Sequence, residues 1–317
     1  MKRSYSLKLS LGIVSFGLAV SSTFAMSYYA ITDNASPFGI AIGLDENMRT
    51  VTFHVPDFSD DECKDFTTVV KHVEYGASIG SEGVPDTSPQ YSFTFQGWYS
   101  EATYENEVET TDLVSANTNV YAKFIRTAAL YDSSNKEYFL SSSSEQTISS
   151  RYIYKVSNHV WGSDPSTSDS NKLDLTTASG KYKCSYATNT WTIKRVVGVG
   201  LGDGVTWWTN DSAKFRLWQF NGLDSLGDTW SGLFTFTSNK ATVEIDYRYR
   251  KIIVARISNE NVPTDWSNVW NQTVDVNLAE GDCGTGDNQH YYTSSSARLY
   301  VWNDKSGNNY KFGWGAW

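Results

Sequence analysis

Residues 213–257 read AKFRLWQFNGLDSLGDTWSGLFTFTSNKATVEIDYRYRKIIVARI. Four runs in this stretch have the β-branched and aromatic composition of strands: "AKFRLWQF", "LFTFTS", "ATVEIDY" and "KIIVARI". The segments between them, "NGLDSLGD", "SNK" and "RYR", are interpreted as turns. Several short strands at regular spacing are typical of a β-sandwich. We therefore predict that residues 195–317 form a sandwich.

The whole chain has the composition of a β-rich protein. Its 317 residues include 12 Trp and 20 Tyr but only 6 Pro and 3 Met, and Ser, Thr, Asn and Val are abundant. A chain of this length can hold two or three domains, each with its own hydrophobic core. We therefore predict a mostly β, multidomain protein.

The charge balance argues against two classes of partner. The chain carries 26 basic and 35 acidic residues, a net charge of −9. Nucleic acids and anionic lipid surfaces both attract basic proteins. We therefore expect no nucleic-acid partner.

The N-terminus has the pattern of an export signal. Lys2 and Arg3 precede the apolar run "LGIVSFGLAV", and Thr23 and Ala25 occupy the small-residue positions of a cleavage site. The apolar run is shorter than the roughly 20 residues that a membrane span needs. We predict that residues 1–25 are a signal peptide and that the bacterial protein is extracellular or on the cell surface. The alternative is an uncleaved N-terminal anchor, which would be the only membrane contact.

Residues 26–48 are interpreted as a short lead-in to a first domain at 49–126. In that domain "TVTFHV", "YSFTFQGWY" and "NVYAKF" have strand patterns, and Tyr91, Phe93, Phe95 and Gly97 are predicted to share one face. Between the first two strands, "DDECKDFTTVVKHV" has apolar residues at helical spacing, so a short helix is predicted there.

The order of motifs in this first domain resembles the Listeria–Bacteroides repeat, the type found as internalin B-repeats in bacterial surface proteins. The matching segments are Val51–Phe53, Tyr75–Gly76, Gly97–Tyr99 and Tyr121–Phe124. The resemblance implies a small β-grasp-like fold and the role of a spacer or adhesive stalk. One departure is that "HVPDFSDDECKDF" replaces the short Asn-Gly-Gly turn that the family has after its first strand.

Residues 127–194 are predicted to form a second β-rich unit, of uncertain family. Its strand-like runs are "KEYFL", "RYIYKV", "KYKCSYA" and "TWTIKRV", and "GSDPSTSDSNKLD" has the composition of a loop.

Residues 195–317 hold nine of the twelve tryptophans. At their start, Gly198, Gly200, Gly202 and Gly204 alternate along "GVGLGDGVTWW", where a strand with one bare face would let aromatic rings lie over it. A dinucleotide site is not expected because no helix start follows these glycines. Trp207 and Trp208 are predicted to lie on opposite faces of a strand, one in the core and one exposed.

Two more tryptophans lie in the polar run "DWSNVWNQTVDV", residues 265–276. An exposed indole offers a flat apolar surface to the C–H face of a sugar ring, and amides can donate to and accept from its hydroxyls. The segment "KIIVARISNENVPTDWSNVWNQTVDVNL" also resembles the closing half of starch-binding modules of carbohydrate-binding families 25 and 26. A small related module of bacterial extracellular proteins matches at Trp207 or Trp208, 211–215, 252–256, Trp266 and 270–275.

The resemblance implies an immunoglobulin-like β-sandwich that binds polysaccharide, with an α-glucan as the first candidate. The predicted contact residues are Trp207, Trp208, Trp266, Trp270, Asn271 and Gln272. The structural alternative is that Trp266 and Trp270, four residues apart, share a helical face and cap the core. Arg256 is interpreted as a structural ion pair rather than a ligand contact.

We expect no catalytic residues, no metal and no cofactor. The four histidines, at positions 54, 72, 159 and 290, are scattered, and no metalloprotease or nucleophile-elbow motif is present. "GDCGTGD", with Asp282 and Asp287, is interpreted as a solvated turn rather than a calcium site. Cys63, Cys184 and Cys283 allow at most one internal disulfide. The alternative function is an adhesin or stalk that binds a host or cell-surface protein and has no affinity for sugars.

Overall fold

The computed structural model describes residues 47–202, 204–258, 265–278 and 298–315. The protein is mostly β, with several sheets, as the composition predicts. Helical structure in the described ranges is limited to three short 3₁₀ turns. No helix in these ranges has the length and apolar character to cross a membrane. The predicted signal segment, Cys283, Asp282 and Asp287 lie outside the described residues.

The chain separates into two compact units, and the first consists of residues 47–55, 67–87 and 97–123 within the described range. The first five strands are β1 (Met48–Pro56), β2 (Phe66–Glu74), β3 (Phe93–Tyr99), β4 (Glu107–Val108) and β5 (Thr118–Asp132). Their order is β2-β1-β5-β3-β4, and β1 runs parallel to β5, with Val51 opposite Thr118. Phe53, fully buried, packs edge-on against Trp98 at 5.0 Å between ring centres.

The helix predicted within "DDECKDFTTVVKHV" is wrong, because Phe66–Glu74 is strand β2. Thr67, Thr68, Val69 and Val70 are consecutive β-branched residues, whose side chains are restricted in a helix and favoured in a strand. Of the apolar residues at helical spacing, only Val73 is buried, so the spacing did not indicate one buried face of a helix.

The face predicted for "YSFTFQGWY" is correct only in part. Tyr91 lies in a turn with a positive φ of 47°, and the strand begins at Phe93. The alternation then shifts by one residue at Gly97, whose φ is +147°, so that Trp98 is buried in place of residue 97. A side chain at residue 97 would also meet Glu107 Oε1 at 2.7 Å.

The second unit consists of residues 56–66, 88–96 and everything from Phe124 onward. Its first strands are β6 (Glu137–Phe139), β7 (Gln146–Ile148), β8 (Tyr152–Val160) and β9 (Lys172–Asp174). The later part of β5 pairs antiparallel with β6 and β8, and β8 pairs with β9. A small core forms here from Leu130, Phe139, Ile148, Ile153, Leu175, Tyr182, Cys184 and Ile193.

The rest of the second unit is the predicted β-sandwich. Its strands are β10 (Gly180–Ala187), β11 (Thr190–Leu201), β12 (Lys214–Gly222), β13 (Thr229–Trp230), β14 (Lys240–Asp246), β15 (Tyr249–Ile257), β16 (Val269–Gln272), β17 (Val276–Asn277), β18 (Arg298–Ser306) and β19 (Asn309–Gly315). One sheet has the order β19-β18-β11-β10-β7, with β14 also on β11, and the other has the order β13-β12-β15-β16, with β17 also on β15.

The core of the sandwich is filled by alternate residues of both sheets. Val197 and Val199 come from β11, and Leu217 of β12 lies opposite Val254 of β15. Residues facing away from the core, such as Trp218, alternate with these along β12. This alternation decides which tryptophans can meet a ligand.

The strand predicted for "LFTFTS" is not formed. Its backbone pairs only at isolated bridges, one joining Phe234 to Phe215. Phe234 and Phe236 nevertheless pack their rings on Phe215, at 5.8 and 4.6 Å between centres. The apolar pattern therefore reports side-chain burial rather than a hydrogen-bonded strand.

The predicted domain limits at residues 126 and 194 do not coincide with breaks between strands. Residue 126 lies within β5, and residue 194 lies within β11.

Candidate functional site

Trp207 and Trp208 lie in a 3₁₀ turn, Thr206–Thr209, rather than on the predicted strand. Trp208 is fully buried. Its ring lies parallel to Phe215 at 6.4 Å and edge-on to Tyr310 at 5.0 Å. The turn therefore divides the pair as expected into one core and one exposed indole, and it removes Trp208 from the residues that could contact a ligand.

Trp207 is 37% exposed, and an arginine side chain packs against one face of its ring. The guanidinium carbon of Arg256 lies 5.4 Å from the Trp207 ring centre and 4.7 Å from that of Trp270. We call Trp207, Arg256 and Trp270 the arginine stack. Such contacts place a cation against the negative face of an indole.

Arg256 is held by backbone atoms as well as by a carboxylate. Nε donates to the Trp208 carbonyl at 2.7 Å, and Nη2 donates to the Asn210 carbonyl at 2.9 Å and to Asp211 at 2.8 Å. The Arg256 side chain is buried, whereas that of Asp211 is largely exposed. Arg256 forms the expected ion pair, with Asp211, but most of its hydrogen bonds go to carbonyl groups of the 3₁₀ turn and of the residue that follows it.

A β-bulge places Trp270 in the stack. Arg256 lies opposite Asn271 and Ile257 lies opposite Val269, so Trp270 is an extra residue between two paired ones. Bulges of this kind redirect a side chain. The alternative considered for Trp266 and Trp270, a shared helical face, is wrong, because only Trp266–Asn268 is a 3₁₀ turn and β16 begins at Val269.

Trp266 belongs to a separate aromatic cluster. Its ring centre lies 4.8 Å from that of Trp230 and 5.5 Å from that of Trp218, and the latter two are 5.0 Å apart. All three pairs are steeply inclined, at 56° to 65°. We call these residues the tryptophan triad.

The triad lies on the outer face of the five-stranded sheet. Trp218 lies opposite Trp230 of β13 and opposite Ile253 of β15. Its side chain is on the outer face of the sheet, whereas that of its neighbour Leu217 is in the core. Trp218 and Trp230 are half-buried, while Trp266 is 43% exposed. The three rings therefore form an apolar surface whose most accessible member is Trp266.

Asp265 fixes the turn that carries Trp266. Its carboxylate accepts the Ser267 backbone N–H at 2.9 Å, the Ser267 hydroxyl and the Asn268 amide. The hydrogen bonds from Ser267, together with that from the Asn268 backbone, lower the pKa of Asp265 below its usual value. The turn is thereby closed without any contribution from a ligand.

The two predicted amides fall on different faces of β16. Gln272 is opposite Ala255, on the outer face with the triad, whereas Asn271 is opposite Arg256, on the side of the arginine stack. Both are half-buried. Neither side-chain amide forms a hydrogen bond with another described residue, so each can bind a ligand.

Trp218, Trp230 and Trp302 were not predicted as site residues. The alternation in "AKFRLWQF" could have placed Trp218 outside the core, but its meeting with Trp230 depends on strand pairing. Trp302, in β18, is 44% exposed and lies over Gly202, with Cδ1 3.1 Å from the position of a Cβ there. This contact agrees with the expectation that an aromatic ring would cover this glycine run.

The described residues contain no group of three or more His, Cys, Asp or Glu side chains placed to hold a metal ion. The outer face offers three clustered indoles, the half-buried amide of Gln272 and the turn that Asp265 closes. Comparison of the chain with protein-family models, curated proteins and solved structures gave no match.

Proposed function

We propose that this chain is a non-catalytic bacterial surface or secreted protein whose C-terminal sandwich binds a polysaccharide. The tryptophan triad, with Gln272 on the same face of the sheet, is the observation that carries the proposal. An α-glucan is the first candidate, because the segment containing Trp266 and Trp270 resembles starch-binding modules.

Apolar burial alone does not account for the position of Trp266. A tryptophan that only completed a core would be buried, as Trp208 is. The ring of Trp266 instead packs against two other indoles, and 43% of its surface remains exposed. An aromatic ring that is already fixed loses little conformational entropy when a sugar stacks on it.

The arginine stack supplies a second exposed indole surface. Arg256 closes one side of the Trp207 and Trp270 rings, and both rings remain partly exposed. Trp207 is therefore retained as a contact residue, with Asn271 on the same side of the sheet. Trp208 has no role in binding in this proposal.

The test is affinity electrophoresis of the whole protein in gels containing starch, glycogen or xylan. Trp266→Ala should lose about 1–3 kcal/mol of binding, by analogy with other aromatic stacking sites. This corresponds to a roughly tenfold to hundredfold fall in affinity. Gln272→Ala should weaken binding by a smaller factor, because a single neutral hydrogen bond is removed.

Trp302→Ala is the matched control. Trp302 is as exposed as Trp266, at 44% against 43%, but belongs to the other sheet. Its removal should leave retardation unchanged. An unretarded wild-type protein in every gel would overturn the proposal, and an equal loss in both variants would overturn the placement of the site.

An adhesin or stalk that binds a protein partner is the second candidate. It is favoured by the resemblance of 49–126 to surface repeats, which present other modules. A glycan array that is blank for every polysaccharide, together with specific capture of a cell-surface protein by the whole chain, would support this candidate and reject the first.

A further inference from the structure

The second unit contains a cavity of about 530 Å³ near its N-terminal strands. Its wall is built from residues 58–61, Cys63, the turn at Tyr91, Arg126 of β5, residues 135–138, Leu140 and Trp161. Phe58, Tyr91, Tyr138 and Trp161 form an aromatic part of this wall, and polar or charged side chains form much of the rest. Cavities of this size are in the range that holds small organic molecules.

Arg126 puts a positive charge into this wall. The residue is only 3% exposed. Its guanidinium carbon lies 4.1 Å from the ring centre of Phe93 and 4.7 Å from that of Tyr138. An arginine side chain stays protonated in proteins, so the cation is buried between aromatic rings.

The hydrogen bonds of Arg126 are incomplete. Nε donates to the Tyr91 carbonyl at 3.2 Å, and Nη2 makes a weak contact of 3.7 Å to the Cys63 thiol. Nη1 is buried and has no hydrogen-bond partner among the described residues. Among those residues, no carboxylate forms an ion pair with Arg126. Burial accordingly lowers the pKa of this guanidinium, with smaller opposing effects from Cys63 and Tyr138.

The acidic groups of the same wall do not neutralise it. Asp60 accepts the backbone N–H groups of Glu62, Lys64 and Asp65 within its own loop, at 2.6 to 3.0 Å. Asp61 and Glu137 are exposed. The other cation, Lys136, is exposed and pairs with Glu62 at 2.7 Å. Arg126 is therefore the buried charge that lacks a counter-ion.

A buried charge without a partner is costly, and a buried guanidinium pairs best with a planar anion that accepts two N–H groups. We propose that the cavity binds a small organic carboxylate with an aromatic or apolar body. The carboxylate pairs with Arg126, and the body lies against Phe58, Tyr91 and Trp161. This site is separate from the polysaccharide surface, and its existence does not depend on that proposal.

The chain segment that forms part of the cavity is also the one that departs from the repeat pattern. Residues 56–66 stand where that pattern has only a short turn, and they bring Phe58 and Cys63 to the cavity wall. Trp161 Nε1 donates to the Asp65 carbonyl at 2.8 Å, which holds this segment in place. This longer segment therefore forms part of a cavity, which a protein acting only as a stalk would not require.

The first experiment compares phenylacetate with phenylacetamide on the unaltered whole protein, by isothermal titration calorimetry and by amide NMR shifts. The two probes have nearly the same shape, but only phenylacetate carries a charge. We expect phenylacetate to bind at least about tenfold more tightly, because a charge-assisted pair with Arg126 is lost in the amide. Equal affinities, or no binding of either probe, would overturn the proposal.

The second experiment assigns the preference to Arg126. Arg126→Gln should bring the two affinities to within about threefold of each other, since no cation remains to prefer the acid. Lys136→Gln removes the same charge from the exposed part of the same cavity and should keep the preference for the acid. If Arg126→Gln does not fold, Arg126→Lys keeps the charge without the planar fork and should reduce the preference. An acid preference that is unchanged in the Arg126 variant, or lost in the Lys136 variant, would reject the assignment.

Discussion

The guanidinium of Arg256 lies 4.7 Å over the ring of Trp270, on the strand next to its own. The same group donates hydrogen bonds to the carbonyls of Trp208 and Asn210. One buried side chain therefore connects the turn before β12 with the bulge in β16, at the end of the sandwich.

Removal of the Arg256 side chain should destabilise the sandwich far more than removal of its carboxylate partner. Arg256→Met leaves two carbonyl groups without their donor, so we expect a loss of about 2–4 kcal/mol in the free energy of unfolding. Asp211→Asn should cost about 0–1 kcal/mol, because the carboxylate is largely exposed and asparagine also tolerates the positive φ of 62° at this residue. Urea denaturation followed by fluorescence measures both values, and similar losses in the two variants would contradict this account.

The neighbouring tryptophans of the 3₁₀ turn should also differ in their effects on stability. Trp208→Ala removes a fully buried indole and should cost about 3–5 kcal/mol. Trp207→Ala should cost no more than about 1–1.5 kcal/mol, since it loses mainly its contacts with Arg256 and Tyr310. Thermal unfolding of the two variants, at one pH and salt concentration, gives the comparison. A larger loss for Trp207→Ala would mean that the inner and outer positions are reversed.

Stability should fall as the pH drops through the titration range of His159. Burial lowers the pKa of His159 below its usual 6.5, and the positive charge of Arg126 lowers it further. The Ser163 carbonyl opposes this decrease, because it accepts a hydrogen bond from the ring at 3.0 Å. Asp164 acts in the opposite direction, and the Tyr138 hydroxyl lies 3.4 Å from Nε2. Because the folded state holds the proton less well, the unfolded state gains protons first as the pH falls below 6.5.

The predicted slope is at most about 1.4 kcal/mol per pH unit, the value for a single proton. Urea denaturation at a series of pH values between neutral and the carboxylate range measures it. His159→Gln should be less stable at neutral pH but should show a flatter profile over that interval. Parallel profiles for the two proteins would show that His159 does not cause the decrease.

The two described cysteines should be inert in the folded protein. Cys63 and Cys184 are buried free thiols. Burial raises the pKa of Cys184 to about 12, and it raises that of Cys63 against an opposing effect of Arg126. Since the thiolate is the reactive form, iodoacetamide at mildly alkaline pH should label neither residue until denaturant is added. Peptide mass spectrometry identifies the labelled sites, and rapid labelling of Cys184 in the native protein would contradict its burial.

Local patterns in the sequence correctly predicted three of the four strands expected within residues 213–257, namely β12, β14 and β15, but not the run "LFTFTS". In β12 the alternation of Phe215, Leu217 and Trp218 indicates which side chains face the core, and the structure agrees. The same reasoning failed at Phe66–Glu74, where four β-branched residues outweigh an accidental helical spacing. It also failed at Trp207, where a 3₁₀ turn replaces the expected strand.

The residues of the candidate site are far apart in the sequence, so no local sequence pattern predicts that they meet. Trp218, Trp230 and Trp266 meet because β13 pairs with β12 and because the turn capped by Asp265 lies over both. A one-residue change in strand register would turn Trp218 toward the core. The residue types around Trp266 therefore indicated that it could contact a ligand, but they could not show that it packs against Trp218 and Trp230. The cavity around Arg126 was missed for the same reason, since five separate segments form it.

Strand β11 has a consequence for how the protein could be divided. Its first half pairs with β10, its second half pairs with β14 and β18, and the two hydrophobic cores lie along its length. The buried Arg195 adds hydrogen bonds to carbonyl groups of Leu175, Tyr247 and Leu278. A gene fragment that starts at residue 195 would keep only the second half of this strand and would lose β10, the strand that pairs with its first half. Such a fragment would yield inclusion bodies more readily than a soluble module, whereas one that starts before β5 would carry both cores intact.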